Sequence, residues 1–174
     1  RSKIVGASIE ELLEMLKAEE DWVRLWAKRE LSHQPNEDLD VALELWVEKL
    51  DEDDAVAGHH RLEALWTYQT ANIINETLLR ELLIDDDHRI RAAAVRVASL
   101  WRSRIEQSDV IFKRAATDNH PRVRIESVRA LAESKSASAA EIATKVLDQP
   151  MDRFLDFALW QAMRDLKPYW LPAL

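Results

Sequence analysis

Asn119-His-Pro-Arg-Val-Arg-Ile-Glu-Ser-Val-Arg-Ala-Leu131 occurs in this chain in two closely similar copies. The earlier copy, Asp86-Asp-His-Arg-Ile-Arg-Ala-Ala-Ala-Val-Arg-Val-Ala98, lies 33 residues upstream and aligns without a gap. Each copy has the pattern of a loop that turns into a helix, because its apolar residues fall at helical spacing. Self-similarity at such a period is typical of helical solenoids, in which neighbouring repeats bury a continuous core.

Divergent copies of the pattern extend the repeat along the chain. Positions equivalent to Arg124 recur every 30 to 37 residues, at Arg24, Arg61, Arg91 and Leu155. In the last copy, Phe154 is assigned to the apolar slot that Val123 fills. We therefore predict an all-α fold, a right-handed α-α superhelix of about five helix pairs, as one domain over residues 1–174. The approximate repeats are residues 8–31, 39–71, 75–103, 108–134 and 138–166.

Local signals predict where individual helices begin. Ser8 and Glu11 have the spacing of a capping box, in which a serine hydroxyl accepts from the third amide and a glutamate reaches back. Ser138 and Glu141 have the same spacing and predict a second capping box. Ser108 is a candidate N-cap for the helix that precedes the Asn119–Leu131 stretch.

Composition and charge exclude several functional classes. The 174 residues carry a formal net charge of −8, which argues against a general nucleic-acid binder. Nine acids and one lysine between Asn36 and Asp54 account for a charge equal to that of the whole chain. There is no cysteine, so disulfides, thiolate metal sites and a cysteine nucleophile are excluded. No run of about 18 apolar residues is present, so the sequence predicts no membrane insertion.

Two sets of arginines recur at matching positions of the repeat. Arg91 and Arg124 follow buried-type residues and lie next to aspartate-rich loops, so we expect them to bridge to acids of a neighbouring repeat such as Asp118. The second set consists of Arg89, Arg96, Arg122 and Arg129. We predict that these four form a basic ridge that holds an acidic peptide, a phosphate group or an acidic segment of this protein.

The chain has seven tryptophans, which is a high number for its length. Trp22 and Trp26 are four residues apart and therefore lie on one helical face. Packing in the core or between repeats is the expected role for most of the seven. The alternative for Trp22 and Trp26 is that they are exposed and anchor a protein partner, since tryptophan is enriched at binding hot spots.

Catalytic, cofactor and metal sites are not predicted. His59 and His60 are adjacent, so on a helix they point about 100° apart and do not chelate one metal ion together. The sequence has no glycine-rich phosphate loop, nucleophile elbow or haem-attachment motif. A DNA glycosylase built on helical repeats would need a basic face and an aspartate flanked by aromatic residues. Asp156, Trp101 and Trp160 are the candidates for that role, and the acidic balance of the chain argues against it.

The repeated pattern Asp…Val-Arg-x-x-Ala-x-x-Ala-Leu resembles the second helix of HEAT repeats. Three stretches also resemble the HEAT-repeat segment of planctomycete-type membrane-bound dehydrogenases that carry a c-type cytochrome domain: residues 62–70, 120–131 and 148–174. This resemblance implies an exported or periplasmic parent protein and a scaffold role between redox domains. The family's propeller and Cys-x-x-Cys-His motifs are absent here, so the resemblance implies no catalytic residue.

Three functional hypotheses follow. The first is a non-enzymatic HEAT-like scaffold or spacer that contacts neighbouring domains of a larger redox protein. Because the sequence starts at Arg1 and not at a methionine, we expect it to be a domain excised from that protein. The second is a stand-alone module that binds proteins or peptides through the arginine ridge and the exposed tryptophans. The third is the HEAT-like DNA glycosylase. We expect a monomer without a cofactor, with protein partners and no nucleic acid.

Overall fold

The computed structural model describes residues 4–51 and 54–173, and within these ranges every regular element is helical. The α-helices are α1 (Ile9–Glu14), α2 (Asp21–Leu31), α3 (Asn36–Glu48), α4 (Ala57–Thr70), α5 (Glu76–Leu82), α6 (His88–Trp101), α7 (Ser108–Ala116), α8 (Pro121–Ala132), α9 (Ala137–Ala143), α10 (Arg153–Asp165) and α11 (Lys167–Trp170). Helices α1 to α10 follow one another as five pairs along the sequence. The predicted all-α repeat fold is confirmed.

Short segments of 3-10 helix follow three of these helices. They lie at Met15–Lys17, Thr144–Asp148 and Leu171–Ala173. Helix α3 begins at Asn36, before the predicted start at Leu39, and its first turn carries Glu37 and Asp38. Glu52 and Asp53, which belong to the predicted acidic turn, lie outside the described residues. None of the described helices is both long and apolar enough to cross a membrane.

The chain divides into two compact units, with the boundary between Leu82 and Leu83. In the N-terminal unit, α2 packs against α1 and α4, and α3 packs against both α1 and α4. Its core is mostly leucine, and fully buried members include Leu16, Leu31, Leu39, Leu43, Leu65, Tyr68 and Leu79.

In the C-terminal unit, α8 is the central helix and packs against α6, α7, α9 and α10. Its core is built from smaller side chains, including Ala94, Val95, Ala98, Phe112, Ala116, Val128, Leu131 and Leu155. Small residues allow helix axes to approach closely, which brings the faces of α6, α8 and α10 together.

The helix N-termini agree with the sequence at some positions and differ at others. Ser8 and Glu11 form the predicted capping box. The second predicted box is wrong: Ser136 is the N-cap of α9 and accepts from the Ala139 amide at 3.1 Å, while Ser138 lies inside the helix. Ser108 is not a cap either. It is the first residue of α7, because Gln107 takes the N-cap position with a left-handed φ of 52°.

The repeat register in α10 is also shifted by one residue. Asp152 caps this helix by accepting from the amides of Phe154 and Leu155 at 2.9 and 2.8 Å. The start of the helix is thereby fixed at Arg153, and Leu155 becomes the buried counterpart of Val123. Phe154, assigned to that slot from the sequence, is instead 61% exposed.

Candidate functional site

Three arginines donate hydrogen bonds to backbone carbonyl oxygens of the loops that precede their helices. Arg24, Arg91 and Arg124 each lie four residues after the N-cap residue of α2, α6 and α8. In each case Nη1 donates to the carbonyl oxygen six residues back, in Ala18, Asp85 and Asp118 respectively, at 2.6, 2.8 and 2.9 Å. We call Arg24, Arg91 and Arg124 the bracing arginines.

The bracing arginines also reach the following repeat. Arg91 donates from Nε and Nη2 to the two carboxylate oxygens of Asp118 at 2.8 and 2.9 Å. Arg124 is only 1% exposed and donates from Nη2 to the Pro150 carbonyl oxygen. The predicted bridge to an acid of a neighbouring repeat is confirmed for Arg91. Arg124 has a structural role too, but it bonds to backbone carbonyl oxygens and not to an acid.

The Asp118 carboxylate is held in its charged form by this arrangement. Desolvation acts to raise its pKa, but the hydrogen bonds from Arg91 and from the His120 amide outweigh that effect, and the pKa lies below its ordinary value. This charged, part-buried pair links α6 to the loop before α8.

A groove of about 1150 Å³ runs over the C-terminal unit along α6, α8 and α10. Arg96, Arg122 and Arg129 of the predicted ridge line it. The structure places Arg89 elsewhere: its guanidinium pairs with Asp87, the N-cap residue of its own helix. The same hydrogen bonds from Arg89, with the Arg89 amide, lower the pKa of Asp87 to about 2.

Some charged side chains in the groove have partners within the protein and others have none among the described residues. Arg96 and Arg122 are exposed, and no described residue forms a hydrogen bond or ion pair with either guanidinium. Arg129 pairs weakly with Glu126, at 3.6 Å between Nη1 and Oε1. The Asp152 carboxylate already accepts hydrogen bonds from backbone amides of α10. Two guanidinium groups therefore remain available to an acidic ligand.

Exposed aromatic side chains lie beside these arginines. Phe154 and Phe157 line the groove and are 61% and 62% exposed. Phe157 stacks on Trp160, with ring centroids 5.9 Å apart, and Trp160 is 57% exposed. Sequence reasoning missed both phenylalanines. The usable signal was their spacing of three residues, off the buried stripe of Leu155, Leu159 and Ala162.

The N-terminal unit exposes a separate aromatic patch on α2. Trp22, Leu25 and Trp26 are 59%, 63% and 44% exposed, on the face opposite the buried Val23, Ala27 and Leu31. The Arg29 guanidinium lies over the Trp26 ring, 5.0 Å from its centroid. Both candidate aromatics are thus at the surface, where a partner would have access to them.

The residues considered for catalysis do not line the groove along α6, α8 and α10. Trp101 is buried at 3% exposure, which leaves its ring no free face for a base, whereas Asp156 and Trp160 are exposed. Within the described ranges, no three or more histidine, aspartate and glutamate side chains are arranged to hold a metal ion.

A family comparison agrees with the helical-repeat geometry. The family model for HEAT repeats matches residues 75–164, slightly more than half of the chain. This chain belongs to the HEAT-repeat family. No curated protein matches this HEAT-repeat chain in sequence. Among solved structures it is similar to an engineered protein, with 20% identity over 92% of this chain and 79% of that chain, at a TM-score of 0.49.

Membership of the HEAT-repeat family gives the surface features a general meaning. HEAT repeats are helical scaffolds that typically mediate protein contacts and are generally non-enzymatic. The matched segment covers α6, α8 and all but the last residue of α10, the three helices that line the groove.

Proposed function

We propose that this HEAT-repeat protein is a non-enzymatic scaffold whose C-terminal groove binds a segment of a partner protein. The observation that carries the proposal is the pair of unpaired guanidinium groups, Arg96 and Arg122, beside exposed Phe154 and Phe157 in one groove. Arginine next to accessible aromatic surface is the composition of a protein-binding hot spot.

The groove favours one class of ligand. A carboxylate pairs with Arg96 or Arg122, and apolar side chains of the same segment pack on Phe154 and Phe157. A ligand with acidic groups alone is disfavoured, because Glu133 and Asp165 also line the groove and are exposed. We therefore assign the groove to peptide segments that combine an acidic residue with aromatic or aliphatic ones, rather than to a polyanion.

Selection from a display library of random peptides about 12 residues long, roughly the length of an anchoring segment, tests this assignment. The expected winners carry Asp or Glu close to an apolar anchor. They should bind the double variant R96Q/R122Q and the variant F157S more weakly. The matched control is K113Q/R114Q, which removes the same charge from exposed positions of α7 outside the groove.

Binding that survives R96Q/R122Q, or that falls equally in K113Q/R114Q, contradicts the proposed site. Selected peptides without any acidic residue contradict the ligand class. Enzymatic turnover by the isolated chain would contradict the non-enzymatic role.

The redox setting is a separate proposal that rests on the resemblance of residues 62–70, 120–131 and 148–174 alone. Neither match described above carries a dehydrogenase or cytochrome name. A propeller domain or a Cys-x-x-Cys-His motif in the same gene product would support the spacer role and an exported location. Their absence from the full gene product would contradict the spacer role and favour the stand-alone binding module.

A further inference from the structure

A second groove lies in the N-terminal unit, between α1 and α3, with a volume of about 820 Å³. Apolar side chains line it in two rows. Ile9 and Leu13 are four residues apart in α1, and Val41 and Leu45 are four residues apart in α3. Residues at this spacing share a helical face. Leu13 is buried at 2% exposure and Ile9 is half-buried, so the exposed apolar row of the groove is that of α3.

The row on α3 is unusual because this helix already buries another face. Leu39, Leu43 and Trp46 point into the core of the unit. Val41 and Leu45 lie outside that buried stripe and are 58% and 49% exposed. A paired apolar row on the solvent side of an otherwise acidic helix is a feature expected of an interaction surface.

The rim of this groove is acidic. Glu10, Glu14, Glu37 and Asp38 line it together with one cation, Lys49. Glu14 is already engaged by Lys17 at 3.0 Å and by the Trp46 indole nitrogen at 2.9 Å. The other three carboxylates are exposed and have no cationic side chain bound to them among the described residues. Glu37 and Asp38 belong to the Asn36–Asp54 segment, where the net negative charge is concentrated.

We propose that the α1–α3 groove binds a basic amphipathic helix of a partner protein. Leucine-like side chains of that helix pack on Val41 and Leu45, and its lysines or arginines face Glu10, Glu37 and Asp38. Two rows of side chains at helical spacing form a channel that accepts the ridge of a third helix. The acidic rim attracts cations during the encounter and orients the bound helix.

This binding preference is opposite in charge to that of the C-terminal groove, and it rests on different residues. It therefore stands whether or not the function proposed above is correct. The scaffold would hold two partner segments of different chemistry, one acidic and apolar, the other basic and apolar.

The test uses a synthetic peptide of leucine and lysine, LKKLLKLLKKLLKL, which forms an amphipathic helix about 21 Å long. Its counterpart with glutamate in place of every lysine is the peptide control. Binding of each fluorescently labelled peptide to the full chain is followed by anisotropy at about 0.15 M salt, where distant charges are screened.

Two double variants of α3 provide a matched comparison. E37Q/D38N neutralises two groove carboxylates, and E44Q/E48Q neutralises two exposed carboxylates of the same helix that do not line the groove. Both change the net charge by the same amount. A third variant, L45N, removes an exposed apolar contact without opening the core. Circular dichroism confirms that each variant retains its helix content.

We expect the lysine peptide to bind and the glutamate peptide to fail. E37Q/D38N and L45N should each weaken binding by about three- to tenfold, while E44Q/E48Q stays within about twofold of the unmodified chain. Absence of binding overturns the proposal. Equal losses in the two double variants overturn it too, because net charge alone would explain the attraction. Self-association of the chain that L45N abolishes would assign the groove to a second copy and refute the basic-helix partner.

Discussion

Arg91 and Asp118 are joined by two parallel hydrogen bonds, from Nε to Oδ2 at 2.8 Å and from Nη2 to Oδ1 at 2.9 Å. Their side chains are 13% and 15% exposed, and they are 27 residues apart in the sequence. The pair thus connects α6 with the loop before α8. A planar fork on a carboxylate is a geometry that lysine does not reproduce.

Removal of this pair should destabilise the C-terminal unit. R91M retains much of the apolar stem but leaves the part-buried Asp118 carboxylate without its cation, so we expect a loss of about 2 to 3 kcal/mol in the free energy of unfolding. Urea denaturation followed by circular dichroism measures it. The control R89M removes an exposed arginine of the same helix and should change the midpoint little. Equal effects of the two substitutions would show that the Asp118 bridge has no special role.

His120 should make the stability of the C-terminal unit fall in mildly acidic solution. Its ring stacks on His88 with centroids 3.5 Å apart, and its Nδ1 accepts from the Arg122 amide at 3.2 Å. Desolvation lowers its pKa, and repulsion from His88, Arg91 and Arg124 adds to that effect against the opposing attraction of Asp118.

Because the folded pKa of His120 is below its ordinary value of 6.5, the folded state binds fewer protons than the unfolded state. The stabilisation is therefore present above the unfolded pKa and is lost as the pH falls through the folded pKa. H120N, whose amide oxygen still caps α8, should flatten this part of the stability profile. H88Q should flatten it partly. Urea midpoints measured at a series of pH values check both expectations, and an unchanged slope in H120N would refute the assignment.

Glu63 should be essential to the N-terminal unit. It is 2% exposed and accepts from Arg24 Nε at 2.9 Å, from Lys28 Nζ, and lies 3.5 Å from His59 Nε2. E63Q leaves the part-buried Lys28 without a carboxylate and leaves Arg24 with only the exposed Asp21, so we expect a loss of about 3 kcal/mol. Thermal unfolding measures the loss, with E48Q on the exposed side of α3 as the control. A melting temperature equal to that of E48Q would contradict this role.

Ser136 and Ser138 offer a comparison of two serines two residues apart. S136A removes the hydroxyl that caps α9 and should cost about 1 kcal/mol. S138A changes an exposed residue within the helix and should stay within about 0.5 kcal/mol of the unmodified chain. Chemical denaturation of the two variants distinguishes them. If S138A proved the more damaging, the capping box expected from the sequence would be correct after all.

The sequence predicts the helical repeats well because the apolar pattern that indicates them extends over many residues. Apolar spacing around Ile90 and Val123 is repeated many times, so an error at one position does not change the fold. The bridge from Arg91 to Asp118 was also predictable, since a buried-type neighbour and an acidic loop recur together. Membership of the HEAT-repeat family was visible in the same residues.

Cap positions and register depend on single residues and were less predictable. Ser136 and Ser138 both precede plausible helices, and only the extended backbone of Ser136 decides between them. The N-caps of α6 and α8, Asp87 and His120, are 33 residues apart, but those of α8 and α10, His120 and Asp152, are 32 residues apart. One residue turns a helix by about 100°, which is why Phe154 was assigned to the core although it lies at the surface.

The candidate site was anticipated only in part. The repeat positions of Arg96, Arg122 and Arg129 indicate that they share a face. That this face binds a partner stays a prediction. Arg89 has the same repeat position as Arg122, yet its helix begins with Asp87, which takes up the guanidinium, whereas α8 begins with His120. The aromatic side of the groove depends on the register of α10 and was therefore missed.

The bracing arginines also set a limit on how the length of this chain can vary. Arg91 donates to the carbonyl oxygens of Asp85 and Asp86, in the loop before α6, while its other nitrogens donate to Asp118, in the loop before α8. An insertion in either loop would carry one set of acceptors beyond the reach of a side chain whose length is fixed. The length of the arginine side chain thus limits the number of residues in the loops that it spans. Insertions, natural or engineered, should accumulate in loops that no bracing arginine spans.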